Sequence, residues 1–135
     1  MFCYQCEQTY QGTGCAKHGV CGKALAVSDL QDLLVYISKG VSMYAHRARK
    51  LGVVNKEIDV FISEALFSTV TNVNFDEARL RNLILRAVQL RSTARQLYTD
   101  AARTQGEEVA TLSGPAVWQP ASDNDRLSEQ AGEIG

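Results

Sequence analysis

From Ser28 onward, apolar side chains recur with helical spacing. Leu30, Leu33, Leu34, Ile37, Val41, Tyr44, Ala45, Ala48 and Leu51 stand three, four or seven residues apart, which places them on one face of a long helix. Ser28 with Gln31 three residues later has the form of a capping box. Gly52, preceded by Arg47, Arg49 and Lys50, has the form of a stop whose cations complement the helix dipole. A second, shorter helix is predicted from the N-cap Asn55, with Ile58, Phe61, Ile62, Ala65 and Leu66 on one side, fading near Thr71. Asn74 and Glu77 form another capping box ahead of Leu80, Leu83, Ile84, Ala87, Leu90, Ala94, Leu97, Tyr98 and Ala101. That third helix is predicted to run to about Thr104, with Gly106 beyond it.

The flanks behave differently. Residues 1–24 carry no sustained period but hold every cysteine together with Gly12, Gly14, Gly19 and Gly22. Such a segment is a loop wrapped around something. After Gly106 come Glu107, Glu108 and the paired stops Gly114-Pro115 and Gln119-Pro120, which predict a surface connection. Residues 122–130 are expected to add one short helix at most, in an acidic end with little apolar surface and poor order. The predicted fold is therefore all-α: a cysteine-rich loop over 1–24, a three-helix bundle over 25–106 packed against it as one domain, and a partly irregular tail or linker over 107–135. A chain of 135 residues is long enough to bury such a core without cross-links.

Composition narrows the function classes. A net charge of −1 gives no global attraction to nucleic acid or anionic membrane. Arg79, Arg81, Arg86, Arg91 and Arg95 gather on the third predicted helix, where a solvated polar face explains them as well as a nucleic-acid surface does. No stretch approaches the roughly 18 apolar residues of a membrane span, and the N-terminus lacks a basic-then-apolar leader, so a cytoplasmic location is expected. In that reducing compartment, four cysteines within residues 3–21 and none afterwards point to metal ligation rather than disulfides.

Their pattern is Cys3-x2-Cys6-x8-Cys15-x5-Cys21. Two intervening residues let a turn aim both sulfurs of the first pair at one centre, and the other two close the site. Four thiolates leave excess negative charge, to be offset by backbone N–H groups and nearby cations. Gly12, Gly14 and Gly22 are candidates for turning backbone amides toward sulfur. An all-sulfur donor set holds zinc or an iron-sulfur cluster. Structural zinc usually takes two short Cys-x2-Cys knuckles, whereas here one knuckle and a single glycine-rich loop favour a bulkier centre. A structural zinc-binding helical interaction domain is the alternative. His18, between the last two cysteines, is expected to be a loop residue or hydrogen-bond donor, and His46 a polar residue near a helix end. Neither is assigned as a ligand, and no nucleophile-base arrangement is present to assign a catalytic residue.

The segments Met-Phe-Cys-Tyr-Gln-Cys-Glu-Gln-Thr, Gly-Thr-Gly-Cys and Gly-Val-Cys-Gly-Lys resemble the N-terminus of the hybrid cluster protein family, also called prismane proteins or hydroxylamine reductases. The likeness continues through residues 28–34, 67–76 and 118–122, and so spans nearly the whole chain. The resemblance implies that Cys3, Cys6, Cys15 and Cys21 bind a cubane 4Fe-4S cluster, as in short-spaced members of the family. It further implies an electron-transfer module fed by a redox donor protein. In the family, two α/β domains follow and hold the hybrid cluster, where hydroxylamine or nitric oxide is reduced. No cysteine remains after Cys21 to build that second cluster. The expectation is thus a shortened chain, inactive by itself as a reductase, whose hybrid-cluster domains belong to a lost part or to another chain.

Overall fold

The computed structural model describes residues 1–134; Gly135, the last residue of the predicted tail, lies outside them. Among the described residues the protein is all-α, with four helices: α1 (Leu25–Lys50), α2 (Lys56–Ser68), α3 (Glu77–Gln105) and α4 (Asn124–Ile134). The core lies mainly between α1 and α3. Leu30, Leu33, Leu34, Ile37 and Val41 of α1 and Leu80, Ile84, Ala87 and Ala94 of α3 are almost fully buried there, and Ile58, Phe61 and Ala65 close it from α2.

Helix starts differ from the local cap signals. α1 begins at Leu25, and Ser28, the predicted N-cap, is buried inside the helix with its N–H already donating to Ala24 O at 3.1 Å. Burial of Val27 and Leu30 draws the helix N-terminally, so tertiary packing outweighs the capping box. Gln31 does not reach back to Ser28; its Nε2 donates to Asn74 O at 2.9 Å and ties the turn before α3 to α1. α3 is capped by Asp76, whose Oδ1 accepts from Arg79 N at 3.1 Å. Asn74 acts one step earlier, its Oδ1 accepting from Asp76 N at 3.0 Å as an Asx turn. Asn55 does cap α2 through Ile58 N at 3.1 Å, and Gly52 and Gly106 end their helices at φ +81° and +71°.

The segment after α3 is no loose tail. Ala110 N donates to the buried Tyr98 hydroxyl at 2.9 Å, and the 3-10 turn Gly114–Ala116 seats its backbone on Gly40 of α1. Arg91, nearly fully buried, donates to Pro115 O at 2.9 Å, and Trp118 meets the Tyr36 ring edge-on at 6.3 Å between centroids. The chain then enters α4, where the prediction of poor order needs correcting. Leu127 and Ala131, four residues apart, are buried in the shared core, and Arg81 donates to Asn124 O at 3.1 Å and Ser128 Oγ at 2.9 Å. Two apolar residues suffice because α1 supplies the complementary surface, and burying Leu127 alone contributes about 2 kcal/mol.

Candidate metal centre

The loop ahead of α1 is organised by one antiparallel pairing. Cys3 N donates to Cys15 O and Cys15 N to Cys3 O, each at 2.9 Å, so two of the four cysteines are fixed directly opposite each other. The connection between them reverses through the 3-10 turn Tyr10–Gly12, in which Gln11 and Gly12 take φ +52° and +69°. Gly14, at φ +128°, has a backbone conformation that a side chain would strain, and it sets the direction of Cys15. Cys6 enters through its carbonyl, which accepts from Thr9 N at 3.3 Å. Cys21 lies in a second tight turn, held by Gly22 N to Gly19 O at 2.8 Å and Gly19 N to Lys23 O at 2.9 Å. An added Cβ on Gly19 would stand 3.2 Å from Cys21 Sγ, so the backbone passes close to that sulfur.

Cys15 is the buried member of the four; Cys3, Cys6 and Cys21 are half-buried, and all four are free thiols. Tyr10 N donates to Cys15 Sγ at 3.4 Å. The Thr9 hydroxyl lies 3.5 Å from the same sulfur and 3.2 Å from Cys3 O, with one proton to share between them. The Thr9 hydroxyl contact, followed by the backbone N–H groups of Tyr10 and Val20, holds the Cys15 thiol below its ordinary range, with the positive charge of Lys23 adding to them against the effect of burial. These same contacts are ones that stabilise the thiolate form a metal ligand takes.

Lys23 was not singled out by sequence, yet it is 2% exposed, among the most buried large side chains of the protein. Its Nζ reaches Gln5 Oε1 at 3.3 Å and Cys3 Sγ at 3.9 Å. In sequence its signal is only the Cys-Gly-Lys run at 21–23, which does not reveal burial. The three candidate glycines, Gly12, Gly14 and Gly22, all have positive φ, and none has a hydrogen bond from its own N–H to sulfur; the backbone N–H groups directed at Cys15 are those of Tyr10, at 3.4 Å from Sγ, and Val20. His18 is exposed, and His46 is exposed near the far end of α1, 21 residues beyond its start and hence about 30 Å away along the helix. Among the described residues no three His, Cys, Asp or Glu side chains converge tightly enough to hold a single metal ion as they stand. The five arginines considered as a nucleic-acid surface do not form one free face: Arg91 is buried, Arg86 pairs with Glu64 at 2.9 Å, and Arg81 is bound to α4. No helix among the described residues is long and apolar enough to cross a membrane.

The model of the Prismane/CO dehydrogenase family matches residues 1–129, the loop and the helices alike. The chain belongs to that family. Its relatives include the hydroxylamine reductase of Rhodospirillum rubrum, 52% identical over 122 residues, which are 90% of this chain and 22% of the relative. The hydroxylamine reductases of Acidithiobacillus ferrooxidans and Geobacter sulfurreducens are 46% and 44% identical, over 99% and 100% of this chain and 25% of each relative. This Prismane-family chain is thus homologous to the N-terminal part of hydroxylamine reductase and spans about a quarter of the length of the relatives it matches.

Proposed function

We propose that Cys3, Cys6, Cys15 and Cys21 hold a 4Fe-4S cluster and that the protein is an electron-transfer module of a hydroxylamine-reducing system in a reducing, cytoplasmic setting. The observation that carries this reading is the treatment of Cys15. A buried free thiol is given a backbone N–H and a hydroxyl, and an ammonium lies close enough to add its charge, an environment made for a sulfur that carries negative charge. A single Cys-x2-Cys knuckle with all four cysteines in one glycine-rich loop supports a cluster over a lone structural zinc ion, which usually takes two such knuckles.

When bound, the cluster supplies one-electron chemistry. The chain's own residues do the rest. The Cys3–Cys15 pairing and the Gly19–Lys23 turn fix where the sulfurs stand, while Tyr10 N–H and Thr9 stabilise charge at Cys15. Side chains with bond-breaking roles belong, in this proposal, to the remaining three quarters of the family polypeptide, present in the same or another chain. That part and a redox donor protein are the proposed partners. Anaerobically prepared protein should contain about four irons and four acid-labile sulfides per chain, with visible charge-transfer absorption that bleaches on reduction. One zinc and no sulfide refutes the proposal.

A further inference from the structure

A lysine side chain is ordinarily buried only when a carboxylate accompanies it, because a lone charge in a low dielectric is costly. Lys23 departs from that rule. Its two polar contacts are the neutral amide oxygen of Gln5 at 3.3 Å and the Cys3 sulfur at 3.9 Å, and it forms no ion pair among the described residues. The acids nearby are otherwise engaged or poorly served. Asp29 pairs with the Met1 amino group at 3.4 Å. Asp32 senses Lys23, yet burial and the charge of Asp29 outweigh that attraction and push its carboxyl up. A carboxylate properly paired with an ammonium would move the other way. Of the groups touching the ammonium, the sulfur is the one that can take a full negative charge.

Resting on the cluster reading above, we propose that Lys23 is a positioning residue for the redox centre: its buried ammonium is the fixed countercharge of the cysteine site and sets the centre's reduction potential. The physics gives the sign. Reduction adds an electron to an already anionic thiolate-ligated centre, and a cation held in a dry position beside one ligand stabilises the more negative state more. Removing that charge disfavours reduction. An exposed lysine at the same distance would be screened by water and salt, whereas one that is 2% exposed is not. Burial also separates charge from bulk, since methionine fills nearly the same space without the charge.

The test compares the full chain with Lys23→Met and Lys23→Arg, each loaded anaerobically, by an EPR-monitored redox titration beside iron and sulfide analysis. At a fixed ambient potential, Lys23→Met is expected to lower the ratio of reduced to oxidised cluster about tenfold, which for a one-electron couple is a shift of about 59 mV to more negative potential. Lys23→Arg keeps the charge and is expected to stay within a factor of about three of the parent. A cluster of unchanged potential in Lys23→Met overturns the inference and leaves the cluster reading standing. If Lys23→Met takes up no cluster, loading decides: uptake by Lys23→Arg supports a charge role, and loss in both variants assigns the lysine to packing and overturns it. A parent chain without iron and sulfide refutes the cluster reading, and this inference with it.

Discussion

Gly40 is where the fold can be tested most sharply. It lies in the middle of α1, buried, and a Cβ added there would stand 2.6 Å from the carbonyl carbon of Pro115 and 3.2 Å from Ala116 N, with the Pro115 oxygen closer still. These are backbone atoms, so no side chain can swing aside. Gly40→Ala gains about 1 kcal/mol of helix propensity. Against this, forcing a methyl group into a packed contact costs about 1–3 kcal/mol. Displacing the 114–118 segment also weakens the bond from Arg91 to Pro115 O, a hydrogen bond from a charged donor of about 1.5–3 kcal/mol, and leaves the guanidinium buried without it. The net is a destabilisation of about 2–3 kcal/mol, or about 10 °C in Tm for a chain of this size. The chain's one tryptophan reports on the cause. Trp118 sits directly beyond the displaced turn against Tyr36, so its emission should shift to the red at temperatures well below unfolding. Gly132→Ala is the matched control: in α4 its nearest neighbour would be Asp29 Oδ2 at 3.9 Å, an ordinary contact, so the same substitution should gain up to about 1 kcal/mol and leave the tryptophan unchanged. Urea and thermal melts of the two variants should therefore move in opposite directions. A Gly40→Ala protein as stable as the parent would refute the packing of the 114–118 segment on α1.

Gly14→Ala should destabilise the protein by about 1–3 kcal/mol and reduce the iron bound per chain, because φ +128° cannot relax without breaking the Cys3–Cys15 pairing. The added methyl also meets the Phe2 ring, but that ring is exposed and free to turn, so a Phe2→Ala/Gly14→Ala double variant should recover little; full recovery would show that the clash and not the backbone was responsible. Asp32 is pushed above the ordinary 3.8, first by burial and then by Asp29. Its ionisation therefore costs stability once pH rises through the raised value, and none below 3.8, where folded and unfolded carboxyls are both protonated. Asp32→Asn should raise Tm at pH 7 with a gain that disappears toward pH 3; an equal gain at both would assign the effect to something other than charge.

What the sequence made legible and what it hid divide along a physical line. Periodic burial is a property of neighbours in the chain, and the faces of α1, α2 and α3 were readable because Leu33, Ile37, Phe61 and Ile84 recur at the spacing of their own helix. The four cysteines were readable because thiols carry their chemistry in the residue type. Hidden were the features that depend on what lies across space: Ser28 inside a helix rather than capping it, and α4 ordered by a surface that α1 lends to Leu127 and Ala131.

Buried cationic side chains belong to the hidden class, and among the described residues there are two of them. Arg91 and Lys23 are 4% and 2% exposed, and nothing in the sequence marks either as buried. Burial alone cannot separate a structural cation from a functional one; the acceptor does. Arg91 spends a donor on the Pro115 carbonyl and so holds a connection in place, a role that any fixed donor of the right reach would serve. Lys23 touches an amide oxygen and a thiol, and the amide carries no charge to oppose its own. A fold that keeps an ammonium there stabilises negative charge on sulfur, and it does so beside Cys3, the residue backbone-paired to the cysteine whose thiol is itself held low. The two effects act on one side of the loop and in one direction, toward an anionic site.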